Sequence, residues 1–210
     1  MDAGGSFERN VFINCPFDPS YLPLLQPLLF TLVFLGFTPR MAVERVDSAE
    51  PRLDRISELV RECRFGIHDL SRIRAERKGE FYRMNMPFEF GIDYGCRLYG
   101  SGRLRTKRCL VLSTQPFEYA KAVSDLAGID ARYHQNQPPE LVRQVRNWFL
   151  ESIDAPRLPS ASMVWYRFSD FISDFHVKRV AEGFSADDLS TMPIREFVGF
   201  GAEWNAPGSR

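Results

Sequence analysis

Two carboxylates stand where chemistry could be done, Asp69 and Glu89. Pro87 suits the first position of a helix, which predicts that Glu89 lies in its first turn. An acid there complements the helix dipole and helps to cap it. The same dipole keeps the carboxylate ionised, as a nucleophilic carboxylate requires. Gly91 removes a side chain beside Glu89, and Asp93 falls one turn on, on the same face. We read Asp93 first as a solvated surface acid and second as a partner carboxylate.

Other chemistries are poorly served. Cys15, Cys63, Cys96 and Cys109 show no CxxC spacing, and His68, His134 and His176 are equally scattered, so a metal centre is not expected. Cys15 follows a strand with no histidine near it in sequence, and reads as a buried thiol rather than a nucleophile. His68 precedes Asp69 in a strand pattern, so alternation points it away from Asp69 and into packing. No GxGxxG or GxxxxGK[ST] loop follows any strand, which disfavours a dinucleotide cradle and a P-loop.

These residues need a frame. Short apolar runs at Asn10–Cys15, Phe37–Glu44, Phe65–Leu70 and Cys109–Thr114 read as strands, with a weak fifth at Asp130–His134. Helical patterns alternate with them. Tyr21–Phe34 reads as a buried amphipathic helix stopped by Gly36, the next runs through PRLDRISELVRECR, and another opens at Pro87. Phe117–Gly128 and PPELVRQVRNWFLES come after it. The alternation predicts an α/β fold, a doubly wound parallel sheet of about five strands in the order 2-1-3-4-5. In such a sheet ligands bind beyond the carboxyl ends of the strands. There stand Asn14, Cys15, Phe17 and Asp18 after the first strand, Glu44, Asp47 and Ser48 after the second, and His68, Asp69, Ser71 and Arg72 after the third. Asn14, Asp69 and Glu89 are expected to converge at that edge.

PRLPSAS near Pro156 reads as a joint, giving an α/β unit over 1–155 and a C-terminal helical extension over 156–210. The charged stretch from Ser71 to Asn85 is expected to flank the pocket and to meet an anionic ligand. Arg52 and Arg55 read as a solvated face paired with Asp54 and Glu58, with a phosphate contact as the alternative. Arg103–Arg108 reads as a solvated turn.

Composition excludes whole classes. The 210 residues carry 27 Lys+Arg against 27 Asp+Glu, so neither a general nucleic-acid coat nor a polybasic membrane binder is expected. The most apolar stretch, Tyr21–Gly36, is too short for a bilayer span and carries Pro23, Gln26 and Pro27. A cytoplasmic location is therefore the expectation.

MPFEFGIDYG, with Asp69 ending the preceding strand and VFINCPFD opening the chain, resembles the nucleoside 2-deoxyribosyltransferase family and its TIR-like NAD-cleaving relatives. The resemblance spans about Asn10 to Gln135. It implies a flavodoxin-like sheet, Glu89 as the catalytic glutamate and Asp69 as an acid contacting sugar or base. It also implies a pocket floor of Asn14, Cys15, Pro16 and Phe17; by their places after the strands and at the helix opening, Ser48, Ser71, Arg72 and Phe88 are expected to border it. The implied activity is cleavage or transfer at the N-glycosidic bond of NAD or of a nucleoside or nucleotide. Several bacterial relatives act in antiphage defence, so a homo-oligomer or a defence-system partner is also implied. The substrate is that nucleotide or NAD itself, and no cofactor or metal is called for. Asn85-Met86-Pro87-Phe88 stand where the family has Gly-Thr, and no tryptophan lies near Glu89. These differences admit the alternative of a non-catalytic nucleotide-sensing or assembly module.

Overall fold

The computed structural model describes residues 6–44, 47–73, 84–153 and 157–207. Five parallel strands form one sheet in the order β2-β1-β3-β4-β5. They are β1 (Asn10–Asn14), β2 (Thr38–Arg40), β3 (Phe65–Asp69), β4 (Arg108–Ser113) and β5 (Arg132–Tyr133). The helices are α1 (Leu22–Phe34), α2 (Arg52–Glu62), α3 (Asn85–Tyr99), α4 (Pro138–Ser152), α5 (Ala161–Ala181), α6 (Ala186–Ser190) and α7 (Ile194–Asn205). This is a flavodoxin-like α/β fold with helices on both faces of the sheet.

Strand alternation divides the core in two. Val11, Ile13, Phe65 and Ile67 face α1 and α4. Phe12 faces the other way, into a cluster with Ile56, Leu59 and Val60 of α2 and the partly buried Ile92 of α3. The same parity sends neighbouring polar residues to opposite faces. Asp69 joins Phe65 and Ile67 on the α1 side, and His68 goes to the α3 side.

Helix α1 is buried nearly all round rather than on one stripe. Leu24, Leu25, Leu28, Leu29, Phe30 and Leu32 are all buried. The physical reason is a second layer: α5 and α7 lie over its outer side, and Phe30 meets Phe168, Phe171 and Trp204 at ring distances of 5.1–5.9 Å. A helix covered on every side has no use for a polar face. Its end is a Schellman turn. Phe37 N–H reaches Leu32 O at 2.8 Å, Gly36 N–H reaches Val33 O at 3.0 Å, and Gly36 takes φ 81°.

Some boundaries differ from expectation. Strand β2 is three residues long and gives way to a 3-10 turn at Ala42–Glu44. Residues 117–128 hold two short 3-10 turns, Tyr119–Lys121 and Ser124–Leu126, instead of a helix. Tyr119 anchors that segment, buried against Leu70, Phe90 and Val111. Helix α3 starts at Asn85, two residues before Pro87. The joint near Pro156 lies partly outside the described residues. The helices beyond it share one core with α1 and α4. No described helix is long and apolar enough to cross a membrane.

Candidate functional site

The carboxyl ends of β1, β3 and β4 and the residue after β5 bring Asn14, His68, Asp69, Ser113 and His134 to one edge, all buried. Two polar networks grow from it, one on each side of the sheet.

The first centres on Asp69. Its Oδ2 accepts from the Tyr21 hydroxyl and from His134 Nε2 at 3.0 Å. Its Oδ1 accepts from the Ser71 amide at 2.8 Å and from the Ser71 hydroxyl. A carboxylate offers about four lone-pair positions, and four donors answer them here. Gln135 (φ 52°) and Asn136 (φ 55°) reverse the chain after β5, so that the Asn136 amide donates to His134 Nδ1 at 3.1 Å. That leaves the ring proton on Nε2, pointed at Asp69 and within 2.9 Å of Ser71 Oγ. Burial works against the Asp69 charge. The hydrogen bond and charge of His134, with the Ser71 and Tyr21 hydrogen bonds, overcome it and hold the carboxyl below its ordinary range. Asp69 thus fastens β3 to the turn just before α1, to its own loop and to the β5 end.

The second network runs beneath α3. Asn14 Nδ2 donates to Met86 O at 2.8 Å, which fixes the amide's orientation and ties β1 to the first turn of α3. The same nitrogen meets His68 Nδ1 at 3.1 Å, so His68 Nε2 carries the proton to Asp93 Oδ2 at 3.1 Å. Lys107 Nζ stands 3.2 Å from Asp93 Oδ1 and also donates to Val60 O at 2.7 Å and to Cys63 O. Asp93 and Lys107 are therefore interior groups, not the solvated acid and solvated turn expected. Burial disfavours the Asp93 charge, and His68 and Lys107 more than offset this, so its pKa is lowered. Gly66 makes room. A Cβ there would collide with Asp93 Oδ2 and stand 2.7 Å from His68 Nε2.

His68, Asp93 and Cys109 bring potential metal ligands within 4.8 Å of one another. The set suits an internal ammonium better than a metal ion. Asn14 claims His68 Nδ1, His68 Nε2 holds a proton towards Asp93, and Lys107 already brings a positive charge to Asp93.

Glu89 lies in neither network. It is the fifth residue of α3, in the second turn, so it does not serve the first-turn capping role expected. Its side chain is 8% exposed and meets Arg52 Nη2 at 3.4 Å. Burial raises its pKa, and the charge and hydrogen bond of Arg52 and the field of His68 only partly oppose that. The helix dipole is not what holds it charged; Arg52 is. Cys15 feels the charge of both carboxylates. Burial and then the fields of Asp69, Glu89 and Asp18 push its thiol well above the ordinary value. That is a packed thiol, not a thiolate.

The remaining residues divide. Pro16 is buried, whereas Phe17 and Phe88 are 38% and 59% exposed. Arg72 bonds Ser20 Oγ at 2.8 Å and pairs with Asp18 at 3.4 Å, joining the loops after β1 and β3. Ser48 is exposed and makes no hydrogen bond to these networks among the described residues. Arg55 pairs with Glu50 and donates to the carbonyls of Ala42 and Asp47. Of the charged stretch, residues 74–83 lie outside the described part of the chain.

Sequence reasoning misses Tyr21, His134 and Lys107. His134 stands directly after β5, and the strand-end rule that singles out Asn14 and Asp69 finds it when applied to the fifth strand. Nothing local marks Tyr21 or Lys107. Comparison with protein-family models, curated proteins and solved structures gives no match.

Proposed function

We propose that the chain cleaves, or transfers at, the N-glycosidic bond of NAD or of a nucleoside or nucleotide. Glu89 stabilises or traps the anomeric carbon. The observation that carries this reading is Glu89 itself. It is a carboxylate withdrawn from water beside the sheet's carboxyl edge, used by neither structural network and balanced by one half-exposed arginine. A structural acid at this depth would be expected to be saturated, as Asp69 is.

The chemistry suits such a group. Cleavage passes through an oxocarbenium-like state, which a carboxylate on the sugar face stabilises or captures. Phe17 and Phe88 offer exposed rings on which a base or nicotinamide can stack. Arg52 keeps Glu89 ionised against its burial, and Arg72 fixes the loop that borders the edge. Asp69 acts by positioning, since its oxygens are already filled. NAD is a fitting substrate because its nicotinamide leaves without protonation, so no second acid is required.

A second reading, a nucleotide sensor of the same fold, draws on that saturation of Asp69. The acid that the resemblance implies at the sugar or base has no lone pair to offer.

Incubation with NAD and with deoxynucleosides, followed by chromatography for free base, separates the two. Release that falls roughly 100-fold in Glu89→Gln, about 2.7 kcal/mol of transition-state stabilisation, supports catalysis. A parent that binds the nucleotide and releases no base overturns it in favour of the sensor.

A further inference from the structure

At the opposite, amino-terminal edge of the sheet lies an open depression of about 850 Å³. It is lined by Arg64 just before β3, Arg97 in the last turn of α3, Arg105 in the 102–106 turn and Arg108 at the start of β4. Asp69 lies five positions along β3 from Arg64, about 16 Å along the strand. Elsewhere in this electrically neutral chain Arg40, Arg52, Arg55, Arg72 and Arg132 each pair with a carboxylate. Arg97, Arg105 and Arg108 pair with none among the described residues, although they share one depression. Arg64 is paired with Glu8, and its buried Nε has no hydrogen-bond partner.

Part of this has a local structural cause. Arg97 complements the carboxyl end of α3 and lies over Tyr94 at 5.0 Å. Arg105 Nε caps Gly100 O at 3.1 Å, while Gly100 N–H closes on Cys96 O. Those bonds answer helix-end oxygens and hold the Arg105 guanidinium in place, while Arg97 rests on the Tyr94 ring. They do not explain Arg108, or why only Arg64 of the four pairs with an acid among the described residues. Lys107 also lines the depression, but its ammonium is turned inward to Val60 O, Cys63 O and Asp93.

We propose that this depression is a binding site for a small polyphosphate-bearing molecule, separate from the Glu89 edge. Guanidinium forks match phosphate oxygens in pairs. Several of them around one depression fit charge packed within a few ångströms, as in a di- or triphosphate, better than the spaced carboxylates of a peptide. The volume falls in the range of about 300–1,000 Å³ of small-molecule sites. A neutral chain lacks the extended positive field that a nucleic-acid backbone would call for.

Calorimetric titration of the full chain with inorganic triphosphate at low salt tests this. Saturable 1:1 binding that weakens as salt rises is expected, with at least a 10-fold loss in Arg105→Gln/Arg108→Gln. Both positions are exposed, so an unchanged melting temperature checks the fold. Arg52→Gln/Arg72→Gln, at the opposite edge, should bind as the parent does. No saturable binding, or loss in the Arg52/Arg72 variant alone, overturns the proposal. A nucleoside triphosphate run in parallel shows whether the phosphate source carries a base. Capture of a single-stranded oligonucleotide without binding of either triphosphate overturns the site in favour of nucleic acid.

Discussion

Replacing Asp93 with asparagine should destabilise the fold without disturbing its surface. Asp93 and Lys107 are essentially without solvent contact. Asparagine keeps the size, and its carbonyl still accepts from His68 Nε2. What is lost is the negative charge 3.2 Å from the Lys107 ammonium. Leaving one member of a buried ion pair uncompensated costs about 3–5 kcal/mol. Lys107 retains the carbonyls of Val60 and Cys63, which places Asp93→Asn near the lower end, at about 3 kcal/mol. For a chain of this length that lowers the melting temperature by roughly 6–12 °C. Denaturant titration should show a lower midpoint with an unchanged slope. Lys107→Met strands Asp93 in turn, so the double variant Asp93→Asn/Lys107→Met should lose less than the two single losses added, by at least about 1 kcal/mol. Gly66→Ala reaches the same pair by sterics, and should cost as much as Asp93→Asn or more because it pushes the carboxylate off His68 too. A loss below about 1 kcal/mol for Asp93→Asn, or strict additivity in the double variant, refutes the buried-pair account.

Asp69→Asn should flatten the acid side of the stability–pH curve. The Asp69 carboxyl is held below its ordinary value of 3.8, so its contribution is present above that pH and is lost as pH falls through the lower folded value; titrating unfolding between pH 5 and 2 shows it. Glu89 has the opposite sign. Its pKa lies above 4.5, so base release should rise with pH through that higher value, and Glu89→Gln should be at least as stable as the parent at pH 7, by thermal melting. Gly36→Ala should cost about 1 kcal/mol or more, because φ 81° disfavours a Cβ that would also stand 3.2 Å from Arg9 Nη1; denaturant titration measures it. Alkylation of Cys15 by iodoacetamide at pH 7.5 should be far slower in the native chain than in denaturant, read by mass spectrometry, since burial raises the thiol pKa and shuts out the reagent.

The strand order is legible because the strands are short apolar runs separated by helical periodicities, and that pattern leaves few topologies. The polar interior is not legible. Asp93 sits on a helix with the spacing of a surface acid, and Lys107 lies in a run of basic residues. Each looks solvated until the 25-residue separation between His68 and Asp93 is closed by folding. Glu89 is picked out by its motif, but its local setting differs from the one the motif suggests. Pro87 is the third helical residue and not the first, and that shift takes Glu89 out of the dipole's reach and makes Arg52 its counter-ion. His68 shows parity working. Alternation alone sends it away from Asp69 and into packing against Phe12 and Phe90, where it also meets a chain of hydrogen bonds.

The double cover over α1 sets a timetable for synthesis. This helix leaves the ribosome early, with leucines and Phe30 on a side that only α5 and α7 will cover. Trp204, which closes over Phe30, is almost the last described residue of the chain. At roughly 5–20 residues per second, the helix waits on the order of 10–40 s with that side bare. During translation this apolar segment is therefore open to chaperones until α5 and α7 emerge, and a message cut short after α4 leaves it open to aggregation.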